Sequence, residues 1–383
     1  MKEFLFSLAP YGEKVIRTLQ QAGFLAYAVG GCVRDCLLGR VPEDWDVATS
    51  ATPEQVISLF PRTVATGLQH GTVTVLMDSH PVEVTTFRKE GKYSDCRRPD
   101  EVIYTDDPKE DAARRDFTVN ALYWDGKSEI LDFFGGQEDL KGKILRTVGD
   151  GSKRFSEDAL RILRCARFSA QLGFRVEERT KSAMKEKAFL LQQISRERIG
   201  AEWEKILMSD PVTGCSLLWE TGCHFFTDSR INAGDEEFVC CSRMPEQSPL
   251  RWASLLWKSD SVRDIMNGFR RDKKTISRCV WLTEQKETDL STDYAIKRLV
   301  ADSSIEAVEQ LVQLRQEGKK RFEVMKEKGE FVTLDTLALT GEQLLKSGIC
   351  NGKEIGETRK RLLDEVLLGH VSNNSDQLLL FLK

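Results

Sequence analysis

Leu25-Ala26-Tyr27-Ala28-Val29-Gly30-Gly31-Cys32-Val33-Arg34-Asp35 is an apolar run that stops at two glycines and resumes with helical spacing. A strand that breaks at glycine before a helix lets the backbone come close to a ligand, because glycine has no Cβ and tolerates positive φ. The helix predicted over residues 32–38 would offer its first N–H groups to an anion. Arg34, one turn in, could clamp a phosphate through paired N–H groups. A Gly-Gly pair is also an ordinary turn, so residues further along the chain have to decide between the two readings.

Nine residues beyond Asp35 stands Asp44-Trp45-Asp46. On a strand, residues two apart point to the same side, so both carboxylates project together while Trp45 and Val47 face the core. Two carboxylates about 4 Å apart repel by about 4 kcal/mol at an effective dielectric near 20. A divalent cation removes that penalty, and hard carboxylate oxygens suit magnesium. Alone, an Asp-x-Asp is as well a pair of solvated loop acids. Pro81-Val82-Glu83-Val84-Thr85 adds a third acid, facing opposite to its β-branched neighbours. It is either an exposed strand-face residue or the carboxylate that completes a two-metal site with Asp44 and Asp46.

Around these acids, residues 1–150 alternate strand-like and helical runs. Strands are predicted over 25–29, 45–48, 73–77, 82–87 and 121–124, all rich in β-branched and aromatic residues. Thr52-Pro53-Glu54-Gln55 reads as a helix start, with Thr as N-cap, Pro at the first helical position and Gln closing a capping box. Beyond residue 150 strand signals nearly vanish. Helical spacing runs over 155–171, 177–191, 197–208, 249–258, 304–329 and 355–368, while 228–248 is polar and irregular and reads as a loop. The expected architecture is an α/β head over 1–150, a helical neck over 151–225 and a helical body and tail over 226–383.

Composition agrees with several folded domains and excludes little else. The chain has 383 residues, 40% hydrophobic and 30% charged, too long for one core and too apolar for disorder. No run approaches the roughly 20 apolar residues of a membrane span, and the start reads poorly as a signal peptide. Ten cysteines are scattered without a CxxC pair, which points to free thiols and a reducing, cytoplasmic setting. A net charge of −4 argues against indiscriminate coating of nucleic acid, yet a local basic groove remains open.

Such a groove has candidates. Ser156-Glu157-Asp158-Ala159-Leu160-Arg161-Ile162-Leu163-Arg164-Cys165-Ala166-Arg167 is read as a helix opening, with Ser156 as N-cap. Asp158, Arg161, Arg164 and Arg167 recur every three residues, so successive members touch. Solvated arginines behind a first-turn acid are one explanation. The other is base recognition: a carboxylate accepts from an exocyclic amine, and a guanidinium donates to a ring acceptor. Cytosine and adenine offer that amine beside that acceptor, whereas uracil and guanine invert both, each mismatch costing about 1–3 kcal/mol. Arg114-Arg115-Asp116-Phe117-Thr118-Val119-Asn120 is either a surface ion-pair network or a set of ribose and phosphate contacts.

Taken together, these segments resemble the class II tRNA nucleotidyltransferase (CCA-adding enzyme) and bacterial poly(A) polymerase family of the polymerase β-like superfamily. Motif A is Val29–Asp35 with Asp44-Trp45-Asp46, and motif B is Arg114–Asn120. Asp132-Phe133-Phe134-Gly135-Gly136 is similar to motif C, Glu157-Asp158-Ala159-Leu160-Arg161 to motif D, and Ser195-Arg196-Glu197-Arg198-Ile199 to motif E. They stand in family order over residues 25–208. The resemblance implies Mg²⁺ on Asp44 and Asp46, with Glu83 the third catalytic carboxylate. It implies triphosphate contacts from Gly31 and Arg34, a nucleotide contact from Arg115, and base reading by Asp158 and Arg161 with Arg164 and Arg167 completing the pocket. The partners implied are CTP, ATP and the tRNA 3′ end, which attacks the α-phosphate and releases pyrophosphate. Thr66-Gly67-Leu68-Gln69-His70-Gly71-Thr72-Val73 resembles the strand turn of CCA-adding members, and Asp95-Cys96-Arg97-Arg98-Pro99 resembles the flexible loop that full CCA-adding and A-adding members keep. Leu339–Leu345 and Gly352–Gly356 resemble the tRNA-holding tail. An A-adding enzyme or a poly(A) polymerase is the alternative within the family.

Overall fold

The computed structural model describes residues 10–89, 102–127, 129–349 and 351–383; residues 95–99, which resemble the family's flexible loop, lie outside them. The chain divides into two compact units: the residues up to Ile231 with Gly268–Arg270, and Asn232–Asn267 with Arg271–Lys383. The residues expected as head and neck fall in the first unit.

That unit opens with α1 (Pro10–Gln21), β1 (Ala26–Val29), α2 (Gly31–Leu37), β2 (Asp46–Thr49), α3 (Pro53–Leu59), β3 (Thr63–Gly67), β4 (Thr72–Met77) and β5 (His80–Thr86). Next come β6 (Arg88–Lys89), β7 (Ile103–Tyr104), α4 (Pro108–Ala113), β8 (Leu122–Trp124), β9 (Ile130–Asp132) and α5 (Gly136–Gly142). Seven strands form one sheet in the order β3-β4-β5-β2-β1-β8-β9. All neighbours are antiparallel except β2 and β5, which run parallel. Val47, Ala48, Val82, Val84, Val29 and Tyr123 are buried along the central strands. The α3 start has the predicted capping box, Thr52 accepting from the Gln55 N–H and Gln55 answering the Thr52 N–H, with Pro53 following the cap. The five predicted strands are all present; β3 and β9, the two sheet edges, lie outside the prediction.

Helices then dominate: β10 (Ile144–Leu145), α6 (Gly151–Glu157), α7 (Leu160–Leu172), β11 (Arg175–Val176), α8 (Glu178–Lys187), α9 (Arg196–Leu207), α10 (Pro211–Glu220) and α11 (Cys223–Thr227). The helix expected over 155–171 is two helices. Asp158 is extended, at φ −142° and ψ 102°, and its Oδ1 accepts the Leu160 N–H, so it ends α6 and caps α7. Ser156, expected as the N-cap, sits inside α6 and donates to the Ser152 carbonyl.

In the second unit α12 (Asp235–Arg243) occupies the stretch expected as a loop over 228–248, its first turn closed by Glu237 accepting the Gly234 N–H. Then come α13 (Ser248–Leu255), α14 (Val262–Gly268), α15 (Lys273–Glu284) and α16 (Asp293–Asp302). The helix expected over 304–329 is α17 (Ile305–Arg315) and α18 (Lys319–Glu327), parted where Gln316 and Gly318 turn left-handed. The unit ends with α19 (Gly341–Lys346), α20 (Ile355–Leu367) and α21 (Ser375–Phe381), gathered around Leu339, Leu344, Leu362 and Leu378. Among the described residues no helix is long and apolar enough to cross a membrane, and the cysteines carry free thiols.

Candidate active site

Two of the three acids, Asp46 and Glu83, are brought together by strand register. Asp46 and Glu83 are direct partners in the parallel pair β2–β5, so their side chains leave the same face of the sheet. Val82 and Val84, on either side of Glu83, are buried while Glu83 is exposed, as the alternation predicts. Asp44 is not on the strand: β2 begins at Asp46, and Asp44 lies in the bend before it. The alternation nevertheless extends through the bend, because Trp45 is buried against the Trp124 ring and Gly12. Burial pushes the Asp46 carboxyl up to about 6; the Arg115 guanidinium opposes that rise and the Glu83 and Asp44 carboxylates add to it. Crowded hard-oxygen donors of one sign fit a divalent cation, which relieves their repulsion. Among the described residues no group of three His, Cys, Asp or Glu side chains is gathered tightly enough to hold a metal alone. Magnesium sites commonly take only one or two carboxylates and complete the shell with substrate phosphate and water.

The glycine junction stands beside these acids. Gly30 has φ 78°, and a Cβ there would lie 3.4 Å from Arg115 Nη1 and 3.8 Å from Asp46 Oδ2. Arg34 is buried and held: Nε and Nη2 donate to the Asp35 carboxylate at 2.9 and 3.0 Å, and Nη1 donates to Asn120 Oδ1 at 2.7 Å. Its guanidinium also lies 5.2 Å from the Phe168 ring centroid.

Motif B is anchored by a residue that belongs to none of the sequence motifs. Asp111, on α4, is fully buried. Its Oδ1 accepts the Arg88 N–H and Arg114 Nε, and its Oδ2 accepts the Tyr123 hydroxyl and Arg115 Nη2. Burial alone would raise this carboxyl, but the two guanidiniums and the phenol outweigh it and hold it near about 2. Asp116 likewise takes the Phe117 N–H and Asn120 Nδ2 on one oxygen and Arg164 Nε and Nη2 on the other, and these partners outweigh burial to hold it at about 2. Only its acidity close to two arginines marks Asp111 in the sequence; nothing there shows that it is buried.

Gly31, Arg34, Asp46, Arg115, Asp158, Arg161 and Arg164 border one cleft of about 470 Å³. Gly31, Arg34 and Asp46 also border a second cavity of about 630 Å³, which includes Asp44. Asp158 and Arg161 share the first cleft, but their side chains do not pair with each other. Asp158 Oδ2 accepts Arg198 Nη2 at 3.1 Å, while Arg161 donates to Glu157 and to the Arg114 and Arg154 carbonyls. Arg198, a motif E residue that the sequence alone does not mark as functional, therefore joins the cleft. Arg167 lines neither cavity. It is buried, donates to Glu202 on α9 at 3.1 Å and covers the Phe168 ring. In motif C, Asp132 accepts the Phe134, Gly136 and Gln137 N–H groups and so fixes the start of α5.

Residues 26–146 match the family described as the poly A polymerase head domain. Residues 173–226 match the probable RNA and SrmB-binding site of polymerase A. A CCA-adding enzyme of Enterococcus faecalis is 37% identical over 383 residues, covering 96% of this chain and 94% of its own. The chain belongs to the CCA-adding enzyme family. A second member, from Geobacillus sp., is 37% identical over 95% of this chain and 94% of its own. Among solved structures, a Bacillus stearothermophilus CCA-adding enzyme in complex with CTP superposes with TM-score 0.81 at 29% identity, covering 98% of this chain and 96% of that one. A Thermotoga maritima CCA-adding enzyme complexed with tRNA shares the fold, with TM-score 0.75 at 19% identity over 98% of this chain and 95% of that one. The α/β head and helical remainder expected from the sequence are the fold of this family.

Proposed function

We propose that this chain adds CMP, CMP and AMP, drawn from CTP and ATP, to the 3′ end of tRNA in the cytoplasm without a template, releasing pyrophosphate. The observation that carries the reading is the β2–β5 register. It sets Asp46 and Glu83 side by side, with Asp46 on the border of an arginine-lined cleft. Relatives that match nearly the whole chain are named for this activity.

Asp44 and Asp46, with Glu83, are the residues that would hold Mg²⁺, which when bound neutralises phosphate charge and polarises the reacting oxygens. Gly31 and Arg34, shared by both cavities, face the triphosphate, and Arg115 beside Asp46 contacts the nucleotide. The 3′-hydroxyl oxygen bonds to the α-phosphorus as the bond to pyrophosphate breaks. Asp158 accepts the exocyclic amine of cytosine or adenine, and Arg161 donates to the adjacent ring nitrogen. Uracil and guanine set acceptor against acceptor and donor against donor, costing about 1–3 kcal/mol per mismatched group. Arg164 borders the base side from its anchor on Asp116. Arg167 supports that wall from behind, through Phe168 and Glu202. The helical body and tail, residues 226–383, hold the tRNA.

The test offers tRNA transcripts lacking one, two or three terminal nucleotides, each with one of the four nucleoside triphosphates. Growth by C, C and then A, with UTP and GTP refused, is expected. Incorporation of A alone onto CC-ended tRNA would instead make this an A-adding enzyme, and untemplated A tracts a poly(A) polymerase. Asp44→Ala should abolish incorporation while tRNA still binds, and an active Asp44→Ala enzyme refutes the metal role.

A further inference from the structure

Two other side chains aim Arg115 at the glycine junction beside Asp46. Its Nε donates to the Tyr123 hydroxyl at 2.9 Å and its Nη2 to Asp111 Oδ2 at 3.3 Å. The same hydroxyl donates to the same Asp111 oxygen at 2.5 Å. The three groups close a ring in which the phenol is acceptor to the cation and donor to the anion. Tyr123 and Asp111 are fully buried, on β8 and α4. The Tyr123 ring lies 5.1 Å from the guanidinium carbon and packs edge-on against Tyr27 and Phe133. With Nε and Nη2 committed, Nη1 is directed to the glycine junction, where it and Asp46 Oδ2 face the same Gly30.

We infer that Tyr123 and Asp111 are positioning residues of the nucleotidyl transfer, holding Arg115 at the Gly30 junction near Asp46 so that it meets a part of the nucleotide common to CTP and ATP. The inference rests on the reading that Arg115 contacts the nucleotide. A buried arginine paired with a carboxylate alone can swing about that pair. Adding the phenol fixes the fork in its plane, and such a hold removes side-chain entropy that nucleotide binding would otherwise have to overcome. Because Arg115 lies beside the acids and the base-reading pair is built from other residues, the effect of disturbing it is independent of the base.

Tyr123→Phe keeps the ring and removes only the hydroxyl. Losing one hydrogen bond to a charged group changes affinity by about tenfold, so KM for CTP and KM for ATP should rise by that factor, both equally. kcat should change by less than about twofold, whereas a fold defect would lower kcat through loss of active enzyme and leave KM in place. Asp111→Asn, which keeps the shape, is the second variant and should show the same equal rise, with thermal melting recording how much of each variant is folded. In an Arg115→Lys background Tyr123→Phe should add little, because the residue it aims is gone. Unchanged KM in Tyr123→Phe, unequal changes for the two nucleotides, or full additivity with Arg115→Lys overturns the inference. If Arg115→Lys alone leaves KM unchanged, the nucleotide contact of Arg115 fails first and the inference with it. If Arg115→Lys raises KM while Tyr123→Phe is silent, only the positioning role fails.

Discussion

Replacing Asp46 by asparagine should make the metal-free protein more stable while it removes catalysis. The Asp46 carboxyl is pushed from an ordinary 3.8 up to about 6, by burial first, with Glu83 and Asp44 adding to the rise against Arg115. A carboxyl whose pKa is raised on folding is bound more tightly by its proton in the folded state. The ionised side chain therefore costs stability above that pKa and costs nothing once protonated in both states. A rise of about 2 units corresponds to at most about 3 kcal/mol at pH 8. Asp46 borders an open cleft, so solvent screening reduces this to about 1–2 kcal/mol. For a unit of this size that is a rise of about 2–8 °C in melting temperature. The assay is thermal melting of wild type and Asp46→Asn in chelator from pH 8 to pH 4, beside tRNA extension with magnesium. The advantage of the variant should be full above pH about 6, shrink between pH 6 and pH 4, and vanish below the unfolded value. A variant that melts at or below wild type at pH 8, or with a gap independent of pH, refutes the claim that Asp46 is held at an electrostatic cost.

Two more outcomes come from the geometry. Asp158→Ala should relax refusal of UTP by about tenfold or more relative to CTP, since a buried mismatch costs about 1–3 kcal/mol. Asp158→Asn, which keeps an oxygen for the Leu160 N–H, separates base reading from capping, and unchanged refusal of UTP in both removes Asp158 from base choice. Gly136→Ala should lower the melting temperature, because the new Cβ would stand 2.3 Å from the Thr118 carbonyl oxygen and 2.9 Å from its carbon. Backbone cannot yield as a flexible side chain can, so a cost of about 1–3 kcal/mol is expected; an unchanged melting curve would show that α5 is not pressed against residues 118–120.

The sequence makes legible whatever burial imposes a period on. The strands at 26–29, 46–49, 72–77, 80–86 and 122–124 carry β-branched and aromatic residues because they hold the middle of the sheet. β3 and β9 are the edges, and neither contains a fully buried residue, so the apolar alternation that reveals a strand is missing there. Helical periodicity locates the material of α6 and α7 but not the break between them. One apolar stripe continues across the gap, and the interruption depends on Asp158 turning its carboxylate to the Leu160 N–H. Gly318 is the signal for the break between α17 and α18, and the length of the periodic run outweighs it. For the site, acid and arginine spacing leads to Gly31, Arg34, Asp46, Arg115, Asp158, Arg161 and Arg164, which border one cleft, but not to their partners. A carboxylate such as Asp111 or Glu202 reveals its role only when the fold closes around it.

Those partners change what the arginines do. Arg34 is clamped by Asp35, Arg114 and Arg115 by Asp111, Arg161 by Glu157, Arg164 by Asp116, Arg167 by Glu202 and Arg198 by Asp158. A chain of net charge −4 thus sets these guanidiniums in and behind the cleft by pairing each with an acid, Asp111 serving both Arg114 and Arg115. Free arginines would bring more charge to a triphosphate, but each would lose about 2 kcal/mol of rotamer freedom on binding. Clamped ones bring less charge and little entropy cost, and hold their remaining donors in fixed places. Such a cleft gains shape at the expense of field, which suits an enzyme that must choose between nucleotides carrying identical phosphates.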